Sequence, residues 1–358
     1  MIVSRRGTVS RILSEAAGMQ EVEVDSGGET RRAVAYTQLT GGVAPGDEVL
    51  LNTTAVELNL GSGGVDFVMA KVGAGDRSLA PGGHILRLNY TPMQCRVMSV
   101  EEPDGPHRAA VEAFNSLEGT PVVAGTLHSM AAPLCAVIAR LTGGKGRVAY
   151  VMSDGACLPL AFSRTVRGLK EKGLIAGTVT YGNAFGGDIE AVNKFSALAA
   201  ARAVLKADFI VVCMGVGSIG TASRLGFSGM EQGEILNAAR ALGGEAIACV
   251  RVNFGDARER HRGISHHTLT AMSVAAQPGA TLPLPLLEGE KMEVLREQVR
   301  NAGLEERHRV REIEVGTVFE TMDGYGLKVE TMGRGVGEVP EFFLACEAAA
   351  AAAVESGW

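Results

Sequence analysis

From about residue 120 the chain repeats one alternation that few folds can accommodate. Continuous apolar runs are each followed by a stretch with helical spacing: PVVAGTL then MAAPLCAVIARL, RVAYVM then LPLAFSRTVRGLKEK, IAGTVTY then IEAVNKFSALAAARAVL. DFIVVCM, EQGEILNAARAL, EAIACVRV, HTLTAMSVAAQ, ATLPLPL and EKMEVLREQVRNAG continue the series. A strand that is apolar on every residue is buried on both faces, which is the situation of a parallel sheet covered by its own crossover helices. Right-handed crossovers then predict an α/β fold, a doubly wound and mostly parallel sheet of the Rossmann- or flavodoxin-like kind. A further strand is expected at LKVETM, before a terminal helix.

The first 72 residues follow a different rule. Short alternating runs (GTVSRIL, QEVEVD, RRAVAY, DEVLLNT, VDFVMAKV) are separated by the turn pieces SGGE, APGD and GSGG, which predicts a small β-barrel of the OB or SH3-like kind. The expected organisation is therefore a barrel over 1–72, then a linker with bridging strands and a helix over 73–118. The α/β domain follows over 119–335, and a C-terminal helix over 336–358. GAGDRSLAPGG at 73–83 is the linker proper by composition.

Net charge is −6, and the barrel's only aromatic residues are Tyr36 and Phe67, so neither a phosphate backbone nor stacked bases find an obvious platform; nucleic acid is not the expected partner. The most apolar stretch, SALAAARAVLKADFIVVCMG, is interrupted by Arg202, Lys206 and Asp208 and is not expected to span a bilayer. Six scattered cysteines without a C-x-x-C pair read as reduced core thiols of a cytoplasmic protein. With 46% hydrophobic residues and an alanine-rich final helix, a homo-oligomer fits as well as a monomer.

Ligands of open parallel sheets bind beyond the carboxyl ends of the strands, so the residues that follow each predicted strand are the candidates. These are His128 and Ser129, then Ser153 and Asp154, then Asn183, Asp188 and Glu190, then the loop GVGSIGTASRLGFSGMEQGE. Ser153, Asp154 and Asp188 also fit helix N-cap positions. Gly215, Gly217 and Gly220 match G-x-G-x-x-G, but the next helical pattern opens only near Gly229, and no carboxylate ends the following strand. The more general expectation is an anion cradle of backbone N–H groups suited to phosphate. Asp154, Asp188, Glu190 and Glu231 form an oxygen-ligand set suited to magnesium or manganese. Glu231, with Glu234, can instead complement the positive end of the helix it opens.

DARERHRGISHHTLT at 256–270 gathers three of the chain's seven histidines with three arginines. Ser265 fits an N-cap, placing His266 and His267 at a helix start, where an imidazole is kept neutral and able to act as base or metal ligand. His261 can return to the same place from the preceding loop, and Arg258 and Arg260 suit an anion. His266, His261, His128 and Asp154 are thus the candidate catalytic groups, and Gly215, Gly217, Gly220, Arg258 and Arg260 the candidate ligand-binding ones.

LNTTAV, LHSM, YVMSDGACLPLAFSR, NAFGGDIEAVN, GFSGMEQGE, RERHRGISHHTLT and TMGR together resemble the bacterial family termed domain of unknown function 3866, over nearly the whole chain. The resemblance implies a bacterial cytosolic protein and brings no activity with it. From the residues, the expected function is a metal-assisted hydrolase or transferase acting on a phosphorylated or nucleotide-like small molecule. A non-enzymatic metabolite sensor and an NADP-dependent oxidoreductase are the alternatives.

Overall fold

Two compact units, Met1–Val97 and Met98–Trp358, make up the computed structural model, which describes residues 1–61, 63–78 and 82–358. Ser62 of the GSGG turn and 79–81 of the expected linker lie outside the described residues.

In the first unit β1 (Ser4–Ala16), β2 (Met19–Ser26), β3 (Glu29–Tyr36), β4 (Glu48–Asn52) and β5 (Asp66–Lys71) close into a barrel with strand order β1-β2-β3-β5-β4. Closure follows from β1, whose thirteen residues pair with β2 along one part and β4 along another, with register shifts between Val9 and Arg11 and between Ile12 and Ser14. Such shifts bend a strand enough to serve two neighbours. Val9, Val22, Val24, Ala33, Val49, Leu51 and Val68 fill the interior. A hairpin of β6 (Ile85–Arg87) and β7 (Cys95–Val97) ends the unit.

The second unit is built on an eight-stranded sheet. Its strands are β8 (Pro121–Ala124), β9 (Val148–Ser153), β10 (Gly177–Tyr181), β11 (Ile189–Ala191), β12 (Phe209–Met214), β13 (Glu245–Ala248), β16 (Thr281–Pro285) and β17 (Arg309–Ile313). Between β13 and β16 lie the short β14 (Val252–Asn253) and β15 (Gly263–Ile264). The order is β11-β10-β9-β12-β8-β13-β16-β17, and every pairing is parallel.

Successive residues of one strand serve opposite layers. Ile210 and Val212 pack into one core with Leu198 and Ile235, whereas Phe209, Val211 and Cys213 join a second with Leu134, Phe342 and Phe343. The helices Lys194–Ala203 and Glu231–Ala241 thus cover one face, and Ala131–Leu141 and Pro340–Gly357 the other. Four alanines of the last helix, Ala349, Ala350, Ala352 and Ala353, are buried in this second core, where small side chains allow close approach to the sheet.

Two sequence expectations are corrected. LKVETM is not a strand; its residues run as a loop with one isolated bridge from Thr331 to Arg334, while the edge strand is β17, Arg309–Ile313. IEA, expected to open a helix, is the opposite edge strand, and the helix starts only after Asn193, whose side chain caps it. Among the described residues no helix is long and apolar enough to cross a membrane.

Candidate functional site

Chain direction explains how the histidines meet. Beyond β13 the chain stays beside β8 (Cys249 N–H donates to Ala124 O), then makes a small hairpin in which β14 and β15 pair antiparallel. The hairpin returns the chain to its own base, so Ser265 N–H donates to Arg251 O and Arg251 N–H donates to Thr268 Oγ1. Ser265 caps the next helix, accepting from His267 N–H. His261 at the hairpin's end, and His266 and His267 on the helix, are thereby brought to one spot at the carboxyl end of the sheet.

One ligand nitrogen from each of the three imidazoles lies within 4.8 Å of the others, the only such group of histidine, cysteine or carboxylate ligands found among the described residues. A tetrahedral zinc with bonds near 2.0–2.1 Å places its ligand atoms roughly 3.3 Å apart, so modest side-chain rotation closes the set. His261 is 2% exposed, and its Nδ1 lies 2.7 Å from Ser265 Oγ. In the tautomer with the proton on Nδ1 that bond is a donation to Ser265, which orients the ring and leaves Nε2 free, as a metal ligand requires. His266 Nε2 is buried without a hydrogen-bond partner. His267 stacks flat on Phe227, with ring centroids 4.0 Å apart. Burial depresses all three pKa values, His261 to about 4 and His267 to about 3, with the positive charge of Arg251 adding to the effect. All three are neutral at pH 7. The helix that carries His266 and His267 passes into a π-turn at Ala271–Ala275, a distortion frequent at functional sites.

Of the arginines expected to bind an anion, Arg258 is already engaged: its backbone N–H, Nε and Nη2 all donate to Asp256. These bonds hold Asp256 well below the usual carboxylate range. Arg260 is exposed and close enough to lower the His266 pKa. Arg251, at the end of the run EAIACVRV and the arginine that an NADP-binding alternative would use, joins them. It is 4% exposed and its field acts on all three histidines.

The glycine loop borders the cluster. A Cβ on Gly220 would stand 3.8 Å from His267 Cε1, and Gly220 bridges to Phe227. Gly215 has a different task, since a Cβ there would sit 2.1 Å from Cys157 O. Gly217 adopts φ +87°. Thr221 N–H donates to Gly226 O, so the loop folds back on itself before the helix opens at Glu231.

The remaining candidates do not join the cluster. His128 is buried: its Nδ1 faces Met214 O at 3.0 Å and its Nε2 lies 2.7 Å from Ser163 Oγ. Ser163 in turn accepts from Val166 N–H, so a neutral His128 with its proton on Nδ1 satisfies the chain of bonds. Burial holds its pKa down to about 4. With both nitrogens committed, His128 ties the end of β12 to the N-cap of the helix Arg164–Glu171 and is not placed as a base.

The carboxylate set is also corrected. Asp188 Oδ2 accepts from Thr178 N–H and Oγ1, and Asp188 pairs with Lys170. Thr178 is at the entering end of β10, so Asp188 lies at the wrong end of the sheet, not at a cap. Glu190 accepts from Thr180 Oγ1 and Gly186 N–H. Asp154, which accepts from Asn183 N–H, is separated from Thr178 by the length of β10, roughly 15 Å. Only Asp154 and Glu231 of the four are neighbours. Ser153 Oγ donates to Glu231 Oε1 at 2.5 Å, and Ser153 is therefore no N-cap. Burial raises Glu231 to about 7, with the Asp154 charge adding to it. A Cβ on Gly155 would lie 2.7 Å from the Glu231 carboxyl, and one on Gly182 2.2 Å from Asp154.

A cleft of about 530 Å³ lies on the flank of the hairpin, lined by Phe254, Gly255, Arg262, Lys291, Glu338 and Glu341 among others. None of the three histidines lines it, and its Lys291 is paired with Glu341.

A family model described as protein of unknown function (DUF3866) matches residues 32–350. No curated protein and no solved structure matches the chain.

Proposed function

The chain belongs to the DUF3866 family of unknown function, and from the geometry of its histidine cluster we propose that it is a metal-assisted hydrolase or transferase acting on a phosphorylated or nucleotide-like small molecule. The observation that carries this reading is the convergence of His261, His266 and His267 with a buried, unpartnered His266 Nε2. Leaving such a nitrogen unsatisfied costs about 1–3 kcal/mol, which coordination to a cation would offset. An all-imidazole set favours a borderline ion such as zinc over the magnesium or manganese that a carboxylate set would take. Strand order reverses around β8, with β9 to β11 on one side and β13 onward on the other. That is the arrangement in which Rossmann- and flavodoxin-like sheets open a ligand crevice, and it supports a small-molecule site at this rim.

His261, His266 and His267 would hold a zinc-class ion, which would supply a water activated as nucleophile near neutral pH. His261 is oriented by Ser265 and His267 by Phe227, so the chain presents its imidazoles pre-arranged. Neighbouring guanidiniums draw in the anionic substrate and exclude cationic ones.

The test is metal analysis of the full chain after incubation with zinc and dialysis. One ion per chain is expected, lost in H261A and H266A but kept in E231Q. Phosphomonoester hydrolysis should follow metal content. Retention of metal by both histidine variants, or no metal in the unaltered chain, would overturn the reading. Stoichiometric metal without turnover on any phosphorylated compound would favour a sensor using the same site.

A further inference from the structure

Buried guanidiniums are almost always paired, because an unpaired charge loses its hydration without compensation. Arg251 departs from this. Its backbone bonds to Thr268 and Ser265, but among the described residues its guanidinium makes neither a hydrogen bond nor an ion pair. Arg334 shows the same deficit from another direction. Its Nη1 is buried without a hydrogen bond, and among the described residues its one ionic neighbour is Asp256 Oδ2 at 3.8 Å. Asp256 is spent on Arg258.

Charge counting sharpens the point. Arg251, Arg258 and Arg334 lie within one another's field, with Asp256 as the carboxylate among them. Two positive charges remain uncompensated. Two guanidiniums with free donors suit an oxyanion with several acceptor oxygens, and a phosphomonoester carries close to two negative charges at neutral pH.

We infer that Arg251 and Arg334 form the seat of a terminal phosphate group, beside the histidine cluster. The seat deepens the functional reading above and depends on it only for the reaction, because binding at the guanidiniums needs no metal. It also gives a role to the two guanidiniums of Arg251 and Arg334, each of which is incomplete without an anion.

The experiment is calorimetric titration of the EDTA-treated full chain with inorganic phosphate and with glycerol 3-phosphate, at constant ionic strength. Both are expected to bind, the ester at least as tightly, and R251M and R334Q each to weaken binding at least about tenfold. R251M should also melt no lower than the unaltered chain in phosphate-free buffer, because an apolar side chain relieves the unpaired charge. No binding by the unaltered chain, or unchanged binding in R334Q, would overturn the seat. Binding of inorganic phosphate without the ester would overturn the phosphomonoester assignment. Metal analysis separates the two claims: phosphate binding without metal sinks the metal centre alone, and metal without phosphate binding sinks the seat alone.

Discussion

Glu231 offers a quantitative test that needs no knowledge of the substrate. Its carboxyl takes a hydrogen bond from Ser153 and faces Asp154 and Glu234, with Lys194, itself paired with Glu234, as the nearby cation. Tyr181 and Tyr150 add buried, un-ionised phenols to its surroundings. The folded pKa of about 7 lies above the ordinary 4.5 because burial penalises the charged form. A raised folded pKa means that the fold binds the proton more tightly than the unfolded chain does. The associated stability is fully present below pH 4.5 and is lost as pH rises through 7. At 1.36 kcal/mol per pKa unit the whole effect is about 3 kcal/mol, of which about 2.5 kcal/mol falls between pH 5 and pH 8.5. Glu231→Gln keeps the oxygen that accepts from Ser153 and cannot ionise. Its urea stability should therefore exceed that of the unaltered chain by about 2.5 kcal/mol more at pH 8.5 than at pH 5. Trp358, the only tryptophan and packed 6.0 Å from Phe209, gives a fluorescence signal for this unit. A difference between the two proteins that is the same at both pH values would refute the burial argument.

His128→Phe leaves Met214 O, Tyr150 Oη and Ser163 Oγ without their partner, so it should lower urea stability by about 2–4 kcal/mol while metal content stays unchanged. Loss of metal with full stability would instead return His128 to the site. Gly182→Ala meets both a φ of +69° and a contact 2.2 Å from Asp154, whereas Gly217→Ala meets a φ of +87° with open space around it. Thermal denaturation should show the first variant losing clearly more than the roughly 1 kcal/mol expected of the second.

The sheet was readable because burial on both faces forces an unbroken apolar run, and helices between such runs can only cross over. Edges were less readable. β11 has three residues, too few for a period to emerge before the helix that follows, so IEA reads as helical. The same shortness misplaces Asp188: the loop after β10 runs back to the entering end of the sheet, and a carboxylate that follows one strand in sequence precedes the next in space. The histidines could be picked out by density alone, yet their convergence depends on the β14–β15 hairpin, two residues a side, which leaves no periodic trace. Arg251 was invisible as an unpaired charge, since one arginine in CVRVN looks like the polar face of a half-buried strand.

The place of β8 has a kinetic consequence. It is the earliest strand of the sheet to leave the ribosome, yet both its neighbours, β12 and β13, are synthesised far downstream. Until then its two hydrogen-bonding edges have no native partner, and β9, β10 and β11 can pair only among themselves. Loop-closure entropy must be met before the centre forms, which makes assembly slow and leaves sticky strands waiting. A chain of this topology should lean on a holding chaperone during synthesis more than its final packing would indicate.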